Sequence, residues 1–337
     1  MKIIYQKALA GGLCLCWFVG AALGQTNQVL YLNGTSAYVS IPSSSTLQPP
    51  NAITVEAWVY PTATNANGCL IDKSDGQNGV SQRTYELKWV PTGLDFAVCF
   101  SLPVPTGQPD YAEIITPVSE DVWTHIAATY STNAGLAIYT NGSLATVTNT
   151  YNEESFIGLT LRQTTEALCF GVCPTVQALG EGDTFASGYM DEVRIWDTNR
   201  SGAEIAEDRF CVLTGTESNL MGYWNFDNGT ADDLTTNGNN GTLEGGAIIV
   251  PINGPDVVHD GVCGAPYIDP ASLSYSALTG FRQKILGPRG MTIAVETSTN
   301  LADWSTLFIL PNFTGEFEFD DVDDVSLPQC FYKIVAQ

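Results

Sequence analysis

Apolar and polar residues alternate with a period of two from Val29 to about Ile195. The runs Ile53–Tyr60, Thr84–Val90, Asp95–Phe100 and Val122–Tyr130 combine β-branched and aromatic residues, and Gly, Pro and Asn separate them. Successive side chains of an extended chain point to opposite faces, so this pattern predicts short strands with one face in a core. Gly135–Thr140 and Ser143–Val147 flank Asn141-Gly142, and that dipeptide accepts the positive φ values of a type I′ turn, which predicts a hairpin. No helical pattern alternates with the strands, and no Gly-rich phosphate loop follows one. The expectation is therefore an all-β antiparallel sandwich rather than a nucleotide-binding α/β sheet. One helix is expected, opened by the capping box Ser201-Gly-Ala-Glu204 and carrying Ile205, Phe210 and Val212 on a partly apolar face. The stretch from Asp227 to Gly246 is dense in Asn, Gly, Thr and Asp and reads as a loop. Residues 253–266 read as a linker, and 267–337 as a small β-rich module with strands over Thr292–Ser298, Gly315–Phe319 and Phe331–Val335.

The first 24 residues change the picture of where this chain works. Lys2 and Lys7 precede an apolar run from Ala8 to Ala22, and Ala22-Leu23-Gly24 supplies small-residue cleavage context before Gln25. That is the pattern of an export signal over residues 1–24, and the run is shorter than the ~20 residues that span a bilayer. A secreted or cell-surface protein is expected. With 44% apolar and 10% aromatic residues the chain can bury a core, and its net charge of -23 argues against nucleic acid and anionic membrane surfaces as partners. Cys14 and Cys16 lie within the signal. The disulfide candidates are then Cys69, Cys99, Cys169, Cys173, Cys211, Cys263 and Cys330, an odd number that leaves one without an internal partner. Nearby strand-like runs suggest Cys69 with Cys99, and the bracketing of the C-terminal module suggests Cys263 with Cys330. Cys169 closes on Cys173 only if Gly171 bends the chain. A zinc site among these thiols lacks a second closely spaced Cys or His pair.

Four segments carry a family resemblance. Tyr31-Leu-Asn-Gly-Thr-Ser-Ala-Tyr-Val-Ser-Ile-Pro42, Ile53-Thr-Val-Glu-Ala-Trp-Val59, Trp123-Thr-His-Ile-Ala127, and Gly188–Trp196 followed by Arg200-Ser-Gly-Ala-Glu-Ile205 together resemble laminin G-like, concanavalin A-like jellyroll domains. Leu220–Asp227 and Asn237–Leu243 resemble a segment that accompanies such domains, which extends the module over 25–252. The tail, through Glu296–Trp304 and Phe331–Ile334, is similar to a short repeat of bacterial exported and surface proteins, with Cys330 where the repeat has a basic residue. The resemblance implies a jellyroll β-sandwich. It also implies a structural Ca²⁺ between the first strand's loop and a closing-strand Asp, which carries over to Asp191 with Asn33 or its neighbouring carbonyls opposite.

The same fold houses glycoside hydrolases, whose Glu-x-Asp-x-x-Glu places carboxylates on one face of a strand. The nearest fragment, Glu181-Gly-Asp183, lacks the third acid, while Asp191-Glu192 and Glu153-Glu154 are adjacent and point to opposite faces of a strand. Only His125 and His259 could act as the base of a nucleophilic triad, and no Gly-x-Ser-x-Gly elbow is present. Asp320–Asp324 lacks the Gly and terminal Glu of an EF-hand loop and reads as a solvated turn. Most of the tryptophans fall in strand patterns, where the core is the default. The expected function is a non-catalytic binding or adhesion protein for extracellular glycan or protein, with rim loops making the contacts and no catalytic residue. The alternatives are a glycosidase-class enzyme on the same sandwich, or a structural surface component.

Overall fold

In the computed structural model, residues 5–6, 27–62, 68–74, 83–101, 110–151, 158–174, 184–251, 267–268, 272, 274–276, 280–286, 292–311, 316–321 and 331–336 are described. The chain divides into two compact units, one of Gln25–Arg209 with Leu213–Val257, the other of Met1–Gly24, Phe210–Val212 and Val258–Gln337. In chain order β1 (Tyr5–Gln6) belongs to the smaller unit. The larger unit begins with β2 (Gln28–Asn33), β3 (Tyr38–Ile41), β4 (Ala52–Pro61), β5 (Gly68–Lys73), β6 (Tyr85–Val90), β7 (Gly93–Cys99) and β8 (Tyr111–Thr116). It continues with β9 (Thr124–Ser131), β10 (Gly135–Thr140), β11 (Ser143–Leu144), β12 (Asn149–Tyr151), β13 (Leu168–Phe170), β14 (Val172–Cys173) and β15 (Thr184–Phe185). It closes with β16 (Ser187–Trp196), α1 (Gly202–Asp208), β17 (Leu220–Trp224), β18 (Thr242–Glu244) and β19 (Ile248–Pro251).

These strands form two sheets, antiparallel throughout except that β15, paired with β14, joins β5 in parallel. The first has the order β11-β10-β9-β4-β16-β2-β19, with β17 also on β16, and the second has the order β12-β8-β7-β6-β5-β13-β3-β18. Alternation decides which side chains meet between them. Val55, Ala57 and Val59 of β4 share one buried cluster with Leu87, Trp89 and Phe96 of β6 and β7, while the intervening Glu56, Trp58, Glu86 and Lys88 face away. The sandwich is the jellyroll that the alternation and the resemblance led us to expect.

Local chemistry sets the joints. Asn141 and Gly142 both have positive φ, at 51° and 82°, and bring Thr140 opposite Ser143. The capping box of α1 is formed, with Ser201 Oγ accepting from the Glu204 N–H at 3.3 Å and Glu204 Oε2 accepting from the Ser201 N–H at 2.8 Å. The Asn-rich stretch after Asp227 is not all loop: Thr242–Glu244 pairs with β3, placing Leu243 opposite Val39. A free sheet edge on β3 supplied hydrogen bonds that composition could not anticipate.

Gly188 shows how tightly β16 enters its sheet. Its φ is 134°, and a Cβ there would lie 2.0 Å from the Tyr60 carbonyl oxygen of β4. Gly188→Ala is expected to destabilise the sandwich by about 3 kcal/mol, measured as a drop in the urea midpoint, because both strain and collision must be relieved by moving backbone.

The smaller unit contains β20 (Tyr267–Ile268), β21 (Ser274–Ser276), β22 (Gly280–Leu286), β23 (Ile293–Ser298), β24 (Ser305–Leu310), β25 (Glu316–Asp321) and β26 (Phe331–Ala336). They form the sheets β1-β26-β23-β24 and β20-β22-β21, with β25 on β22. Ile285, Ile293 and Val295 form its buried centre, packed against Phe308, Phe317 and Phe319. Tyr5 and Gln6, inside the stretch expected to leave with the export signal, pair with Tyr332 and Phe331. The rest of residues 1–24, the linker 253–266, His259, Cys263 and Cys330 lie outside the described residues.

Candidate ligand-binding cleft

Register carries one set of aromatic side chains across the face of the first sheet that points away from the core. Tyr31 of β2 lies opposite Tyr189 of β16, Tyr189 opposite Tyr60 of β4, and Val59 opposite Thr124 of β9, so that Trp123 falls beside Tyr60. The rings touch in sequence, with centroids 5.3 Å apart for Tyr31 and Tyr189, 6.0 Å for Tyr189 and Tyr60, and 5.6 Å for Tyr60 and Trp123. All four are tilted or edge-on, the arrangement that aromatic quadrupoles favour, and all are half-buried. Tyr60, Trp123 and Tyr189 line an open cleft of about 470 Å³ with Asp121, Thr62 and the β19 end at Val250 and Pro251. Asp121 is held at its rim in a left-handed conformation, φ 55°, with its N–H donating to the Pro61 carbonyl at 2.9 Å.

The helix α1 lies against the same face, and none of its residues is among those that line the cleft. Further along the same face, Trp58 Nε1 donates to the Arg209 carbonyl at 2.7 Å and an Arg194 guanidinium N–H donates to the Asp208 carbonyl at 2.9 Å, so the C-terminal end of α1 lies on these rows. The motif residues of the resemblance are underneath. Glu56, fully buried, accepts from Arg200 Nη1 at 2.8 Å and stands 3.4 Å from His125 Nε2. Burial alone would raise the Glu56 carboxyl, but the His125 contact and then the Arg200 charge reverse this and hold it at about 2. Burial lowers His125, and the facing Glu56 carboxylate opposes that shift. Arg194 pairs with Glu192, whose other oxygen accepts from Tyr223 Oη at 2.6 Å. The Glu-x-Trp and Arg-Ser-x-x-Glu patterns thus encode the seating of a helix, and His125 of the Trp-x-His pattern packs beside Glu56 and Trp58.

The outward face of the second sheet collects a different chemistry. A bulge between Cys69 and Ile71 lets Leu70 and Ile71 both enter the core, so Cys69 and Asp72 share the outward face despite their spacing of three. Asp72 then lies opposite Glu86, and Lys88 opposite both Cys69 and Asp95. Cys173 Sγ is 2.9 Å from Cys69 Sγ and 2.8 Å from Glu86 Oε2, and the donor atoms of Cys69, Asp72, Glu86 and Cys173 all lie within 4.8 Å of one another. Burial and the facing Glu86 charge push Asp72 up. Burial also opposes ionisation of Glu86, but Arg83 and Lys88 outweigh it and hold that carboxyl down. Two carboxyls with diverging acidities are a hydrolase-like feature, yet Asp72 is 0% and Glu86 1% exposed, which leaves no room for a sugar between them.

The expected site residues are placed as follows. Asn33 and Asp191 are not brought together: Asn33 pairs with Ser187, four residues before Asp191 on β16, about 13 Å away along the strand. Asn33 Oδ1 instead accepts the N–H groups of Thr35, Ser36 and Ala37 at 2.9 to 3.0 Å, and Asp191 Oδ1 accepts the Glu192 N–H at 2.8 Å. The expected Cys69–Cys99 pairing is corrected. Cys69 faces Lys88 on β6, Cys99 lies beyond it at the end of β7, and the sulfur that approaches Cys69 is that of Cys173. Among the described residues Cys69, Cys99, Cys169 and Cys211 are buried thiols and Cys173 is a half-buried one. Gly171 does supply the bend between β13 and β14, with φ 92°. Asp320 lies in β25, bound twice by Arg282 at 2.7 and 2.9 Å, while residues 322–324, Glu153-Glu154 and Glu181-Gly-Asp183 are outside the described residues. Among the tryptophans, Trp89 and Trp224 are fully buried and Trp58 and Trp196 nearly so, but Trp123 lines the cleft. Its outward parity with His125 on β9 was the available signal.

Comparison with known proteins agrees with this architecture. The family model described as the concanavalin A-like lectin/glucanases superfamily, Laminin_G_3, matches residues 33–206. The comparison with curated proteins gives no match. Among solved structures, the chain is similar to a candidate carbohydrate binding protein from Bacteroides ovatus, with 18% identity, a TM-score of 0.47, and coverage of 68% of this chain and 61% of that one. It is also similar to a SAP-like pentraxin of Limulus polyphemus, at 14% identity and TM-score 0.41 over 68% of this chain and 97% of that one. Domains LG4-5 of the mouse laminin alpha1 chain align at 13% identity and TM-score 0.35 over 50% and 41%. The chain thus spans less than two thirds of the Bacteroides protein.

Proposed function

The chain belongs to the concanavalin A-like lectin/glucanases superfamily, and from that premise we propose that it is an exported, non-catalytic binding protein whose aromatic cleft takes the ring faces of an extracellular glycan. The observation that carries this reading is the open cleft of about 470 Å³ lined by Tyr60, Trp123 and Tyr189, with Asp121 and Thr62 at its edge. A pyranose presents C–H groups on its faces and hydroxyls around its rim. Aromatic rings match the first, and a carboxylate or hydroxyl matches the second. A chain of net charge -23 disfavours sulfated or uronate-rich polymers, so neutral or amine-bearing glycans fit best. Tyr60 and Tyr189 rest on strands whose backbone is fixed by the sheet, and Trp123 immediately precedes β9, so little ordering is needed on binding.

The test is isothermal titration of the mature protein against neutral, acidic and amine-bearing oligosaccharides, with calcium and with a chelator. Trp123→Ala is expected to weaken binding about 30-fold, the effect of removing a central aromatic contact, with unchanged far-UV circular dichroism. Binding is expected to persist in chelator, because the rings, Asp121 and Thr62 suffice. Wild-type affinity in both Trp123→Ala and Tyr189→Ala would move the contact away from the cleft. Absence of glycan binding in every condition would favour adhesion to protein instead.

A further inference from the structure

We propose that Cys69 and Cys173 form a disulfide that locks the β14–β15 hairpin onto β5, the strand at whose bulge Cys69 sits. This inference does not depend on the glycan reading. The two sulfurs stand 2.9 Å apart, nearer than two thiols rest without a bond. Backbone hydrogen bonds on both sides fix that approach. The Gly171 N–H donates to the Leu70 carbonyl at 2.9 Å, and the Ala186 N–H to the Gly171 carbonyl at 3.0 Å. Cys173 is paired with Thr184, and Phe185 with Cys69 itself, so three strand segments converge on the pair. At Gly171 a Cβ would meet Leu32 Cδ2 at 2.4 Å, so the bend that aims Cys173 at Cys69 depends on glycine.

A metal ion is the competing use of this cluster, and geometry and charge disfavour it. Two thiolates on one tetrahedral ion, each at ~2.3 Å, stand about 3.8 Å apart, wider than the observed separation. Glu86 is already engaged by Arg83 Nη2 at 2.8 Å and Lys88 Nζ at 2.6 Å. Arg83 and Lys88 thus already face Glu86 with positive charge, while burial pushes the neighbouring Asp72 and Asp95 carboxyls up toward their neutral forms. Burial raises the Cys69 thiol to about 12, which makes the closed fold a poor place to ionise it. Two S–H bonds break, one S–S bond forms, and the two protons and two electrons pass to the disulfide of a thiol–disulfide exchange partner, which becomes a dithiol. The chain enters β16 two residues beyond β15, and Tyr189 of the cleft follows, so the link also steadies one wall of that cleft.

The experiment is peptide mapping of the mature protein produced in an oxidising compartment, unfolded in guanidinium with N-ethylmaleimide and no reductant. The expected result is one cross-linked peptide containing Cys69 and Cys173, with neither labelled until reductant is added. Reductant is also expected to lower the wild-type Tm by roughly 10 °C, and to lower the Tm of the Cys69→Ser, Cys173→Ser double variant by clearly less. Labelling of both residues without reductant, linkage of Cys173 to Cys169, or one zinc per chain held with both thiols free would each overturn the proposal.

Discussion

Arg200→Met is expected to lower the unfolding free energy by about 4 kcal/mol at pH 7, the range for leaving one member of a buried ion pair alone. Arg200 joins Glu56, which has 0% exposure, to α1 through Asp208 and the Glu204 carbonyl, and its guanidinium stacks 4.2 Å over the Trp196 ring. The pH dependence separates charge from packing. The native Glu56 carboxyl is held at about 2 against an ordinary 4.5, so the unfolded state binds the proton first as pH falls. Glu56 therefore contributes stability that is fully present above pH ~4.5 and is lost as pH drops toward ~2, about 3 kcal/mol in all. Burial opposes this depression and Arg200 helps sustain it, so removing the guanidinium moves the native carboxyl upward. The gap between wild type and variant should then close as pH falls through that window, in urea titrations at pH 7, 5 and 3. A gap that stays constant would mean that Arg200 acts by packing on Trp196, with no electrostatic share.

How far the chain could be read before folding follows from the range of each interaction. The hairpin at Asn141-Gly142 and the capping box at Ser201 are complete within four residues, and both are formed as expected. Strand alternation placed Leu87 and Trp89 inward and Glu86 and Lys88 outward for the same local reason. Register is not local. Nothing in the sequence around Tyr31, Tyr60, Trp123 or Tyr189 announces that four strands align them in one row, and the default of assigning tryptophan to the core hid Trp123. The same gap separates Asn33 from Asp191, plausible as partners by motif and four residues out of step by pairing. The bulge at Cys69–Ile71 inverts the parity of part of β5, and with it the expected partner of Cys69. Motifs such as Glu56-Ala-Trp58 and Arg200-Ser-Gly-Ala-Glu204 were legible, but the chemistry they carry is the attachment of α1.

Asp233→Ala is expected to cost about 3 kcal/mol, although the residue lies in a stretch whose composition reads as solvated loop. Its side chain is a hub. Oδ1 accepts the N–H groups of Tyr223 at 3.1 Å and Thr235 at 2.9 Å, and Oδ2 accepts the Asn239 N–H at 2.8 Å and the Thr235 hydroxyl at 2.9 Å. Asn239 in turn donates to the Met221 carbonyl at 3.1 Å and receives Trp224 Nε1 on its own carbonyl at 3.1 Å, so the loop is fastened to β17 and to a core tryptophan. Alanine removes every acceptor and leaves three backbone N–H groups without a partner in a site where Asp233 is only 7% exposed, each costing about 1 kcal/mol or more. Asp233→Asn keeps one acceptor oxygen but turns an NH2 toward the donors it replaces, and should fall between the two. Urea unfolding gives the magnitude, and amide exchange gives the location, since Tyr223 and Asn239 should lose protection in the alanine variant before the strands of the second sheet do. If Asp233→Ala stayed within 0.5 kcal/mol of wild type with those amides still protected, water would be replacing the carboxylate. The Asn-rich segment would then be a surface loop in energetic terms, whatever its hydrogen bonds.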